Sequence, residues 1–134
     1  MAATATQQVL NNGHRNLILK YTIAGTTGDA AAVKLVDAST FTDANGVALG
    51  ANSLTLIKVQ SSLTGFSAKL LWDASTDIDL VELPTGENLV QDFSEFGGIK
   101  DNGGSGSTGD VMITTTGYTA SGDGGSFVLY FKKT

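Results

Sequence analysis

Leu17-Ile18-Leu19-Lys20-Tyr21-Thr22-Ile23 sets Leu17, Leu19, Tyr21 and Ile23 on one side of an extended chain and Lys20 and Thr22 on the other. A period of two is the signature of a half-buried strand. Phe66-Ser67-Ala68-Lys69-Leu70-Leu71-Trp72 repeats it, with Phe66, Ala68, Leu70 and Trp72 inward and Ser67 and Lys69 outward. Ser126-Phe127-Val128-Leu129-Tyr130-Phe131-Lys132 is nearly continuous in apolar residues, which predicts a strand covered on both faces. Leu54 to Gln60, Ile78 to Leu83 and the β-branched Val111-Met112-Ile113-Thr114-Thr115 read as further strands.

Turn chemistry separates these runs. Asn12-Gly13, Asn45-Gly46, Asn102-Gly103 and Asp123-Gly124-Gly125 suit turns with positive φ, and Pro84-Thr85-Gly86 follows the strand ending at Leu83. Ser62-Leu63-Thr64-Gly65 is expected to join two neighbouring strands. Two segments keep two readings each: Asp29 to Val36 as short helix or strand, and Glu87 to Phe96 as a helical turn capped by Gly97-Gly98 or a bent edge strand. Lys100 to Gly109 is a glycine-rich surface loop, too close to the C-terminus to link domains. The expectation is an all-β fold, a β-sandwich or barrel (jelly-roll-like) of about eight strands, with at most one short helix. Residues 1–134 form one domain, with 1–10 as a flexible or strand-exchanging arm.

Composition narrows the function. A chain of 134 residues with 41% hydrophobic residues fills a core unaided, and a domain of this size buries roughly two-thirds of its unfolded surface. The absence of cysteine excludes disulfides, thiolate nucleophiles and Cys-ligated metal. Net charge is -5, and the eight basic residues are scattered along the sequence with no basic run, so no nucleic-acid partner is expected. The N-terminal residues hold neither a basic segment nor a long apolar one, and no run reaches the roughly 20 residues of a membrane span. Synthesis in a cytoplasm without export, and no membrane partner, is the expectation.

Few residues invite catalysis. His14 is the single histidine and sits beside the Asn12-Gly13 turn, where a surface role competes with that of a base in a triad. Asp73, Asp77, Asp79 and Glu82 form the densest acidic group; a solvated strand face competes with a weak calcium site. Asp101, Asn102 and Asp110 bracket the glycine-rich loop, offering oxygens for calcium but without EF-hand spacing. No catalytic, cofactor-binding or metal residue is assigned, and no enzyme activity is expected. Trp72 reads as core, its indole N–H then needing a buried acceptor; Tyr118 reads as an exposed contact aromatic.

The Ala/Thr/Gln-rich N-terminal stretch, the strand-rich Cys-free body, Phe93-Ser94-Glu95-Phe96-Gly97-Gly98-Ile99, Gly109-Asp110-Val111 and the ending Phe131-Lys132-Lys133 together resemble small virion proteins of tailed bacteriophages. The chain is most similar in character to head decoration (cement) proteins. The resemblance spans the whole chain and carries over no site residue. It implies a virion protein that binds the major capsid protein, often as a homo-trimer, and braces neighbouring subunits. A tail, head-completion or fibre role, and a carbohydrate-binding module, are the alternatives. The arm Ala2 to Gln8 would add a strand to a neighbour, and Thr114-Thr115-Thr116 would offer hydroxyls across subunits.

Overall fold

The computed structural model describes residues 4–24, 28–29, 31, 33–51, 53–100, 105–120 and 122–133. Asp101, Asn102 and Ala2 lie outside them. The described residues form ten strands: β1 (Thr4–Asn12), β2 (Asn16–Ala24), β3 (Val33–Val36), β4 (Leu54–Thr64), β5 (Ser67–Trp72), β6 (Ile78–Leu83), β7 (Gly86–Asp92), β8 (Ile99–Lys100), β9 (Val111–Thr116) and β10 (Gly124–Lys133). Two antiparallel sheets result, the first ordered β1-β2-β10-β4-β7 with β8 beside β4, the second β3-β9-β5-β6. The expected β-sandwich is what forms, with β1 and the two-residue β8 beyond the strands read from the sequence.

The alternation does the folding work. Leu17, Leu19, Tyr21 and Ile23 of β2, Phe66 just before β5, and Ala68, Leu70 and Trp72 of β5 are all buried, as their spacing requires. They meet Phe127, Leu129 and Phe131 of β10 between the sheets, where Tyr21 and Phe127 stack with ring centroids 5.5 Å apart. The outer face of β10 is not covered. Val128 and Tyr130 are half-buried there, with the Lys58 ammonium 5.2 Å from the Tyr130 ring centre. Apolar side chains on that face are shielded by neighbours within the same sheet rather than by a third layer.

Three other expectations change or resolve. Gly65 (φ +83°) does not close a hairpin: β4 pairs with β10, β7 and β8, whereas β5 pairs with β6 and β9. It is a corner at which the chain crosses from one sheet to the other. Val33–Val36 is a strand, and Glu87 to Phe96 holds both candidates, a strand to Asp92 and then a 3-10 turn at Ser94–Phe96. Gly97 (φ +85°) caps that turn in the left-handed conformation, its N–H donating to Ser94 O, while Gly98 N–H donates to Phe93 O.

Candidate functional site

The first sheet is wider than the second on one side. β1 ends the first sheet and β3 the second, residues of both line one groove, and β1 extends past the packed layers with every residue exposed. All nine β1 residues are exposed, with Val9 at 45% and Leu10 at 49%. β1 is held by its pairing with β2, continuous from Thr4 to Val9 with a bulge before Asn11, and by the Gln7 amide, which donates to Tyr21 Oη at 2.6 Å. Tyr21 Oη in turn donates to Leu35 O on β3, at 3.1 Å. Under the overhang lies a groove of about 410 Å³, lined among others by Ala5, Gln7, Ile23, Val33, Leu35 and Ile113.

Burial outweighs the Gln7 hydrogen bond and raises the Tyr21 phenol from 10.0 to about 12. A raised phenol contributes stability that is fully present below its unfolded value and lost as pH climbs through the folded one. A displacement from 10.0 to about 12 corresponds to about 2–3 kcal/mol. Wild type is therefore expected to lose that much stability between about pH 10 and about pH 12 relative to Tyr21→Phe. Paired urea titrations check this. Lys133, whose ammonium burial holds below the usual lysine range, acts in the opposite sense but equally in both proteins. Parallel pH profiles would contradict the assignment.

The outer face of the first sheet is the second feature. Strand register sets Lys132 beside Thr55 and Asn16, Tyr130 between Lys58 and Ile18, Val128 between Gln60 and Lys20, and Ser126 between Ser62 and Thr22. Lys100 adjoins Thr55, while Asp92 and Val90 adjoin Lys58 and Gln60. Lysines scattered in sequence thus share one face. The pairing order β2-β10-β4, remote in sequence, gathers them.

The residues singled out for chemistry are dispersed or already engaged. His14 is exposed in the β1–β2 turn, its surface reading. Asp79 and Glu82 point outward opposite Leu71 and Lys69, a register shift between Leu70 and Leu71 bringing both to one face, and Asp79 pairs with Lys69 at 3.6 Å. Asp77 Oδ1 accepts from Ala74 N and Asp73 Oδ2 from Thr108 Oγ1. Among the described residues no group of three His, Asp or Glu side chains is placed to hold a metal. Asp110 is 5% exposed, accepts from Ala38 N at 2.8 Å and pairs with Lys34 at 3.1 Å, which raises the Lys34 pKa. It braces the start of β9 against Lys34 of β3 and the backbone at Ala38.

Tyr118, expected at the surface, is fully buried. It packs edge-on against Phe66 at 4.9 Å, and its hydroxyl donates to Asp123 O. Asp29 sets this geometry by accepting from Tyr118 N, Thr115 Oγ1 and Gly117 N, which holds its carboxyl below the usual range. Thr115 is consequently inward, leaving Thr114 and Thr116 toward solvent. Trp72 is core as expected, at 1% exposure, but among the described residues its indole N–H has no partner, and neither does Ser61 Oγ. No helix among the described residues is long and apolar enough to cross a membrane. Comparison with protein-family models and with curated proteins finds no match to this chain.

Proposed function

We propose that this chain is a non-enzymatic virion structural protein, a capsid decoration protein that binds the assembled head of a tailed phage and braces neighbouring major capsid subunits. The observation that carries this reading is β1. An edge strand presents unpaired N–H and C=O groups, and chains that work alone guard such edges with charge, proline or a covering loop. Thr4–Asn12 is nine residues long, contains no charged residue and no proline, and buries none of its side chains. An unguarded strand of this kind suits a protein whose working partner supplies the next strand. Repetition over a lattice then lets many modest contacts replace one tight site.

Two aromatics that a sugar platform would use, Trp72 and Tyr118, belong to the core, which favours assembly over the carbohydrate-binding alternative. The test is sedimentation of the full-length chain with expanded, undecorated heads. The wild type is expected to pellet with them in many copies and to raise their melting temperature. Ala5→Lys with Val9→Lys, which adds charge to the exposed edge on the side of β1 away from Lys20, is expected to weaken binding by about tenfold while changing stability by less than about 1 kcal/mol. Wild-type protein left in the supernatant with intact heads rejects the reading.

A further inference from the structure

We infer that the outer face of the first sheet is the surface by which this chain seats on its partner, and that the partner presents an acidic protein surface with a small apolar centre. The inference rests on the assembly reading and names the face and the chemistry it selects. The chain carries 13 acidic and 8 basic residues, yet this face gathers Lys20, Lys58, Lys100 and Lys132. Between them sit Tyr130 and Val128, half-buried, and Val90, 52% exposed. Asp92 is the carboxylate that the register puts opposite Lys58. A cationic rim around a flat apolar strip complements an anionic rim around another, and such complementarity sets orientation and on-rate.

Size agrees. Five strands spaced about 4.8 Å apart and four rows of outward residues about 6.8 Å apart span roughly 650 Å². Two such faces in contact bury roughly 1,300 Å², at the lower end of specific interfaces and suited to a repeated contact. A polyanion fits less well. Overall charge is -5, which opposes nucleic acid at long range, and the row Ser62, Ser126 and Thr22 ends the face in neutral hydroxyls.

The experiment is acetylation footprinting of lysines on the full chain, free and bound to expanded heads, followed mass-spectrometrically. Lys20, Lys58, Lys100 and Lys132 are expected to become protected, with Lys69 of the second sheet unchanged. Lys20→Glu with Lys132→Glu is expected to weaken binding about tenfold or more, and Lys69→Glu less than about threefold. Lys20→Gln with Lys132→Gln, tolerated by any exposed face, is expected to fall between. Raising salt from about 50 mM to about 500 mM should erase most of the difference. Heads that pellet the chain while these four lysines stay reactive overturn the face and spare the assembly reading; chain that does not pellet overturns both. Protection of the same lysines by a mixed-sequence DNA duplex or phosphatidylserine vesicles, at equal salt and without heads, overturns the protein partner.

Discussion

Trp72→Ala is expected to lower the unfolding free energy by about 3–5 kcal/mol, the largest loss from any single truncation in this core. Trp72 is the largest fully buried side chain among the described residues and ends β5, where it is opposite Ile78 of β6 and Val111 of β9. Its removal empties space that two strands on either side cannot close without abandoning their register. A domain of this size is stable by only about 5–15 kcal/mol, so the variant is expected to sit close to its unfolding threshold. Trp72→Phe should behave differently. It gives up volume but also removes an indole N–H that has no partner among the described residues, a group whose burial costs about 1–3 kcal/mol. The expected net loss for Trp72→Phe is about 1 kcal/mol or less. Chemical denaturation of both variants decides it. If Phe proves as damaging as Ala, the orphaned N–H is not the liability its surroundings make it.

That orphan marks where sequence reading stopped. Alternation placed Trp72 inward, and polarity required an acceptor for its N–H, but none of the described residues around it supplies one. The inward faces of β2 and β5 and the left-handed cap at Gly97 were legible because each depends on a few adjacent residues. Gly65 was misread because a positive-φ glycine closes a hairpin and turns a corner equally well; only the sheet receiving the next strand distinguishes them. Tyr118 was misread for a related reason. It lies in a stretch of turn residues, and what draws it inward is Asp29, 89 residues away in sequence. The lysine face shares this origin, since no local pattern shows that β10 pairs with both β2 and β4. Of the candidate site, the reading of residues 1–10 as a flexible or strand-exchanging arm did not anticipate that Thr4–Asn12 pairs along β2 of its own chain. Its seat on β2, and the groove beneath it, required the fold.

Lys133→Met is expected to cost about 3 kcal/mol and to loosen β1 before the rest of the sandwich. The Lys133 ammonium is nearly buried, the residue being 7% exposed, and its three N–H groups are all used: Asn12 Oδ1 at 2.6 Å, Gly13 O at 2.7 Å and Thr42 O at 2.8 Å. Its own backbone N–H donates to Arg15 O. The C-terminal strand thereby pins the turn that joins β1 to β2, and ties the 42–48 loop to the same point. Methionine matches the length of the side chain and fills the space, but it leaves the Gly13 and Thr42 carbonyls without their donor. Since β1 buries no side chain, main-chain pairing to β2, the Thr4 Oγ1–Ala24 O and Gln7–Tyr21 bonds and this pin are what fix its position. Hydrogen exchange is therefore expected to speed up first at β1 amides and at Gly13, with β5 and β9 amides slowing or quickening only with global stability. A uniform acceleration across both sheets would mean that Lys133 supports the whole core and not the edge strand. If the edge strand is what a neighbouring subunit pairs with, the same substitution should weaken binding to heads more than its global stability loss accounts for. A strand that must be held straight to be extended is weakened by freeing the end that Lys133 pins.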